Sequence, residues 1–250
     1  MNKKFETWLI FIFLSLFTLA TLYPVLNIIS ISLRTDNAFE TQSLSLFTSE
    51  SSLGSYKTLF TETSFLKWAW NSFIVTFVVT LTGVALASTS GYALSRFNFK
   101  GRQFGMLSLL TTQMFPATML LLPFFILLSK IGLINSYIGL IIIYSSTALP
   151  FCIWQMKGYY DTIPVSLEES ARLDGCSRFQ TFYKIILPLS KPALVITALF
   201  SFMSSWSEYV VAAIILQDPE LYTLPLGLKS FQASLATQWG LYAAIAVVVS

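Results

Sequence analysis

Histidine is absent from this chain. That excludes His-based acid–base catalysis, Ser-His and Cys-His nucleophile pairs, and the His-containing metal motifs. Only two cysteines are present, Cys152 and Cys176, without CxxC spacing and too few for a four-thiolate zinc site. Charge is scarce: 11% of the 250 residues are Asp, Glu, Lys or Arg, against about 25% in soluble domains. The net charge is only +3, and no basic patch with interleaved aromatics points to nucleic acid. A Walker A motif is missing, so any ATP hydrolysis belongs to another chain. A Ser-Lys hydrolase is the one nucleophilic route left without histidine, and no lysine falls within the apolar runs. There is no internal repeat, low-complexity tract or separate soluble domain.

What is present is apolar. Hydrophobic residues make up 55% of the chain, more than a soluble protein of this size can bury. The chain therefore reads as an all-α protein that crosses the membrane several times. An uncharged run from Thr7 to Leu33 follows Asn2-Lys3-Lys4. It is too long for a signal-peptide core of about 7–15 residues, and Pro24 is expected to kink it. Residues 34–67 form a polar loop with room for one short helix. The second run, Trp68 to Ser95, ends at the basic cluster Arg96, Lys100 and Arg102. The third, Gln103 to Ser129, is broken by Pro116 and Pro123. A turn at Lys130–Asn135 leads to the fourth, which continues to Met156. The fifth follows Pro192 and reaches Leu216, carrying one charge, Glu208, between Trp206 and Tyr209. The last starts at Trp239. Twelve residues of helix cover about 18 Å of a hydrocarbon core about 30 Å thick, so a sixth span cut short at Ser250 is expected.

Positive charge orients the set. With the N-terminus inside, Lys3, Lys4, Arg96, Lys100, Arg102, Lys157, Arg172, Arg178, Lys184 and Lys191 lie on the inner side. Arg34, Lys57, Lys67, Lys130 and Lys229 lie outside. Residues 157–191 are then a cytosolic loop between spans four and five, residues 217–238 face outward, and both thiols stay reduced at or near the cytosolic side.

Within the cytosolic loop, Ser166 with Glu169 and Ser177 with Gln180 both have capping-box spacing. A short helix is expected from Leu167 to Leu173, ended by a left-handed Gly175. A second is expected from Arg178 to Leu187, stopped by Pro188, with Phe179, Phe182, Tyr183 and Ile186 on one continuous face. Two readings of this element stand open on the residues alone: a docking element for a partner, or an amphipathic loop lying on the membrane.

The segment Glu169-Ser170-Ala171, three residues, Gly175, nine residues, Ile185, one residue, Leu187-Pro188 resembles the E-A-A-x3-G-x9-I-x-L-P motif of ABC-importer permeases, with Ser170 for the middle Ala. Asp174 before the glycine also fits. Tyr92-Ala93-Leu94-Ser95-Arg96-Phe97 with Lys100-Gly101-Arg102 is similar to the second-span ending of the carbohydrate-type members. Pro123, Gly132-Leu133-Ile134-Asn135-Ser136, Ile163-Pro164 and Trp206-Ser207-Glu208-Tyr209 are similar to their patterns too. The tail from Tyr222-Thr223-Leu224-Pro225-Leu226-Gly227 to Gln238-Trp239-Gly240 resembles the smaller maltose/maltodextrin permeases of that family.

The resemblance implies a six-helix type I importer permease spanning 1–250, multi-pass in the cell membrane. It implies a second homologous permease, two ATPase subunits and an extracytoplasmic sugar-binding protein as partners, besides membrane lipid. No cofactor is bound by this chain, which is no enzyme; ATP is used by the ATPase subunits. It implies that Glu169, Ser170, Ala171, Asp174, Gly175, Ile185, Leu187 and Pro188 couple to the ATPase. Leu224, Pro225, Gly227 and Gln238 are implied contacts for the binding protein. Glu208 stays open between a pore or gate residue and an interfacial carboxylate beside Trp206 and Tyr209. Gln113, Asn71 and Tyr144 stay open between lining a sugar path and bonding helices together. Another oligosaccharide or glycerol phosphate is the alternative cargo, and a stand-alone channel or facilitator the alternative class.

Overall fold

The computed structural model describes residues 3–35, 51–232 and 238–249, and these are helical wherever they are regular. The order is α1 (Lys3–Ser32), α2 (Gly54–Glu62), α3 (Phe65–Arg96), α4 (Arg102–Gln113), a 3₁₀ turn (Ala117–Leu120), α5 (Leu121–Lys130) and α6 (Tyr137–Thr162). Then come α7 (Val165–Leu173), α8 (Arg178–Thr181), a π turn (Phe182–Ile186), α9 (Leu187–Leu189), α10 (Lys191–Trp206), α11 (Val210–Ile215), α12 (Leu224–Ser230) and α13 (Trp239–Val249). Among the described residues, α1, α3 and α6 are long and apolar enough to cross a membrane. Two bent pairs, α4 with 118–130 and 178–189 with α10, raise the count to five if each is one span. The 11 residues of α13 are shorter than a span. Residues 36–50 of the first polar loop, 233–237 of the second, and Ser250 lie outside the described residues.

The chain forms two compact units. In the first, residues 1–67 with 227–250, α1 and α13 pack together and α2 packs on α13. The Ser32 and Tyr56 hydroxyls lie 2.7 Å apart, and Gly240 lets α13 close on Ser55, whose Oγ is 2.6 Å from where a Cβ would stand. Pro24 sits inside α1 without interrupting it.

The second unit, residues 68–226, holds two apolar clusters. One joins α3, α5, α6 and α11 through Val75, Leu128, Ile143 and Val211. The other joins the far ends of α3 and α6 to the π turn and the start of α10 through Tyr92, Met156, Tyr160, Ile186 and Ala193. Small residues bring helices close, as expected in a bilayer. A Cβ on Gly91 of α3 would stand 2.9 Å from the Met156 Cβ and 3.0 Å from the Lys157 nitrogen of α6.

Three expectations change. Pro116 does break the third run, where the chain bends by 97°, but Pro123 lies in the first turn of α5, where its missing N–H costs nothing. The fifth run is two helices, not one, broken at Ser207–Tyr209. Pro188 does not stop its helix, because the π turn before it widens the backbone. Leu187 N–H bonds Phe182 O, five residues back, and helix continues to Leu189. The chain turns by 76° only at the buried Ser190, whose hydroxyl bonds Ile186 O at 2.7 Å.

At the start of α3, Trp68 Nε1 bonds Pro219 O at 3.1 Å, and Asn71 Nδ2 bonds Glu220 O and Tyr222 O at 3.0 Å each. The left-handed Asn135 accepts from the Gln217 and Asp218 amides at 2.9 and 3.0 Å. Residues 217–224 therefore sit at the opposite end of α3 from residues 157–191.

Candidate functional site

The segment between α6 and α10 is a helical hairpin. Pro164, with φ −59° and ψ 131°, ends the link from α6 and starts α7. The helix thus begins earlier than its hydroxyl residues suggest. Ser166 falls inside α7, and the capping box expected from Ser166 and Glu169 does not form. The other end matches the expectation. Gly175 is left-handed at φ +88°, its amide bonds Arg172 O at 3.1 Å, and the Cys176 amide bonds Ala171 O at 3.0 Å. That is a Schellman motif closing the last carbonyls of α7. The second capping box is complete: the Gln180 amide donates to Ser177 Oγ at 3.2 Å and the Ser177 amide to Gln180 Oε1 at 2.8 Å.

The continuous apolar face expected along the second arm is split in two. Ile186 is buried, and the Phe182 ring lies 4.7 Å from that of Tyr92. Phe179 and Tyr183 stack on each other and stay 75% and 62% exposed. The i, i+4 pairs lie on adjacent stripes, and only one of these meets the core. On the first arm, Glu168 and Ala171 point inward, while Glu169, Ser170, Asp174 and Leu173 point outward, Leu173 being 89% exposed.

The inward face ends in a polar knot. Arg96, at the end of α3, donates from Nε to Glu168 Oε1 at 2.5 Å, from Nη1 to Ser95 Oγ at 3.0 Å and from Nη2 to Ile163 O at 2.8 Å. The Tyr92 hydroxyl donates to Glu168 Oε2 at 2.7 Å. Ser95 Oγ donates to Asp161 Oδ1 at 2.6 Å, and Lys157 Nζ to Asp161 Oδ2 at 2.5 Å. The Arg96 and Glu168 side chains are 9% and 11% exposed. Removing one partner of such a buried pair costs about 3–5 kcal/mol, whereas replacing both with apolar groups is often neutral.

At the break in the fifth run, the Glu208 carboxylate accepts the Val211 amide at 3.1 Å, the Ala212 amide at 3.4 Å and the Tyr144 hydroxyl at 2.9 Å. It caps the positive end of α11, which explains a carboxylate within an apolar run. Glu208 and Tyr144 also line a 220 Å³ cavity with Thr147, Ser204 and Ser205. A larger cavity of 490 Å³ is lined by Gln113, Thr112, Phe115, Phe124 and Ser146, with no charged residue. Gln113 bonds Thr147 O at 3.1 Å on its edge.

Residues 83–250 match the family described as binding-protein-dependent transport system inner membrane component. The chain belongs to that family. This permease is 35% identical to the maltodextrin transport system permease protein MdxG of Bacillus subtilis (strain 168), over 88% of its own length and 79% of that protein's. It is 36% identical to the maltose/maltodextrin transport system permease protein MalG of Vibrio vulnificus (strain YJ016), over 99% and 88%. In a solved structure of a bacterial ABC transporter involved in the import of the acidic polysaccharide alginate, one chain shares 25% identity with it. The match covers 99% of this chain and 92% of that one, with a TM-score of 0.85. The all-α permease architecture implied by the resemblance is therefore the fold, and the chain is a membrane permease subunit.

The permease brings the motif residues together on one hairpin. Glu169, Ser170, Asp174, Gly175 and Pro188 are on its surface, Ile185 and Leu187 are half-buried, and Ala171 is buried. Glu208 is half-buried in the break. Leu224 is buried, its amide bonded to Ser72 Oγ at 2.7 Å, and Gly227 is buried as well. Pro225 is half-buried and Gln238 exposed. Asn71 and Tyr144 bond segments together within this unit, and Gln113 both bonds α6 and edges a cavity. Sequence reasoning missed Glu168. Its partner Arg96 stood in a noted motif, but Glu168 and Glu169 are adjacent carboxylates, and only the pitch of α7 shows which one turns inward.

Proposed function

We propose that this permease is the smaller-type transmembrane subunit of an ATP-driven sugar importer. It forms the translocation path with a second, homologous permease, and its α7–α9 hairpin docks on one of two ATPase subunits. The N-terminus and residues 157–191 lie in the cytosol, and residues 217–238 face an extracytoplasmic binding protein. The observation that carries this reading is the two-sided hairpin. Its inner face is tied to α3 and α6, while its outer edge presents Leu173, Phe179 and Tyr183 to solvent. Exposed apolar side chains of that size, rimmed by polar residues, mark an interaction surface for protein or membrane, and the E-S-A-x3-G spacing on the same hairpin favours the ATPase. The Arg178 guanidinium, 5.7 Å from the Phe97 ring, adds a tie between the second arm and the residue just past α3. No cofactor is held by the permease itself; ATP acts on the ATPase subunits.

Maltodextrins are the proposed cargo. The names of MdxG and MalG support it, as does the uncharged lining of the 490 Å³ cavity, where aromatic Phe115 and Phe124 flank the polar Gln113 and Ser146. The test has two arms. Leu173→Arg should release the ATPase during purification from membranes while the permease pair survives; retention of the ATPase would remove the docking reading. Deletion of the permease should abolish uptake of labelled maltotriose but not of glycerol phosphate. Uptake that ignores the deletion would overturn the cargo, and uptake without any co-purifying ATPase would favour a stand-alone facilitator.

A further inference from the structure

We propose that Tyr92, Arg96 and Glu168 are positioning residues that weld α7 to the ends of α3 and α6, so that the hairpin and these two helices move as one body. The proposal rests on the reading that the hairpin docks an ATPase, and it locates where that push enters the spans.

The joint between α6 and α7 is only Ile163 and Pro164. Ile163 is buried, its amide bonds Tyr160 O at 3.1 Å, and Arg96 holds its carbonyl. Arg96 spends all three nitrogens at this joint, one on α7, one on its own helix and one on the link. A planar guanidinium used in this way fixes direction as well as distance. Tyr92 then ties in the other arm. Its hydroxyl holds Glu168 before Gly175, and its ring packs on Phe182 after it. The same ring meets Tyr160 of α6 edge-on at 5.7 Å. The left-handed glycine is thus a bend whose two sides are fastened to the same residue. Directly beneath, Gly91 brings the α3 and α6 backbones too close for a methyl group. No soft element lies between the exposed edge of α7 and the body of α3, and close-packed interiors transmit displacement rather than absorb it.

The test measures the joint directly and needs no transported sugar. Nitroxide labels are placed at Thr89→Cys on α3 and Arg172→Cys on α7, both exposed, in a permease carrying Cys152→Ala and Cys176→Ser. The distance is read in the whole transporter, nucleotide-free and trapped with ATP and vanadate. The expected result is one narrow distribution that changes by less than about 2 Å between the states, the scale of ordinary interface shifts. Arg96→Leu with Glu168→Leu removes both charges together, and Tyr92→Phe removes a single hydrogen bond from the weld. Each should widen the distribution at least twofold while the ATPase stays bound. A wild-type distance that shifts by several ångströms on trapping would overturn the proposal, since α7 would then swing on α3. Unchanged widths in Tyr92→Phe and the paired variant would overturn it too. Leu173→Arg separates the two readings: it should release the ATPase and leave the distance alone, and ATPase retained there counts against docking only.

Discussion

Replacing Gly91 with alanine should forfeit the stability that the same change gains at Gly158, and lose up to about 2 kcal/mol besides. Alanine gains about 1 kcal/mol over glycine in a helix interior, and that gain applies equally at Gly91 and at Gly158 of α6. The difference is steric. Nothing lies within 4 Å of the position a Cβ would take on Gly158. On Gly91 it would stand 2.9 Å from a side-chain carbon, 3.0 Å from the Lys157 nitrogen and 3.3 Å from Ile153 O. Carbon pairs prefer about 3.5–4.0 Å, and two of these three neighbours are backbone, so α3 and α6 must separate. Overpacking of that kind costs about 1–3 kcal/mol. A change of 1 kcal/mol moves the midpoint by about 2–4 °C in a chain of this size. Gly158→Ala should therefore melt about 2–4 °C above wild type, and Gly91→Ala about 2–12 °C below Gly158→Ala. Thermal unfolding of the detergent-solubilised permease, followed by tryptophan fluorescence, reads both. Equal shifts in the two variants would refute the claim that α3 and α6 touch through Gly91.

Gly175→Val should leave membrane insertion intact and abolish uptake, because a β-branched residue is strained at φ +88°; normal uptake by a correctly assembled complex would remove the hairpin from the mechanism. Glu208→Ala should strip the Val211 and Ala212 amides and the Tyr144 hydroxyl of their acceptor, each orphan costing about 1–3 kcal/mol. Adding Tyr144→Phe should recover part of the lost melting temperature, and a double variant no better than the single would show that the Tyr144 bond contributes nothing.

The long helices α1, α3 and α6 were legible because apolar run length is a local signal. Gly175 and the Ser177–Gln180 box were legible for the same reason, since each is settled within three or four residues. What escaped depends on where the rest of the chain lies. The spacing of Ser166 and Glu169 is that of a capping box, yet Pro164 starts the helix first and consumes the position. Glu208 read as a lone carboxylate in one continuous apolar run because the break at Ser207–Tyr209 contains neither glycine nor proline. The Arg96–Glu168 pair joins residues separated by a whole pair of spans. Its two halves carry ordinary charges in the sequence, and only the packing of α3 against α6 brings them together.

The π turn at Phe182–Ile186 has a consequence for how this chain can vary in length. A π turn holds one more residue than the α-helical turn it replaces. Losing that extra residue would restore an ordinary turn and leave the helix on either side in nearly its present rotational register. The Phe182–Tyr92 contact would keep its place, but the Pro188 ring would collide with a carbonyl four residues back, a clash the wider turn now avoids. A residue lost from the regular helix of Arg178–Thr181 has no bulge to absorb it and would rotate what precedes it by about 100°. The arm should therefore tolerate a change of length at the π turn alone, and there only together with a change of Pro188.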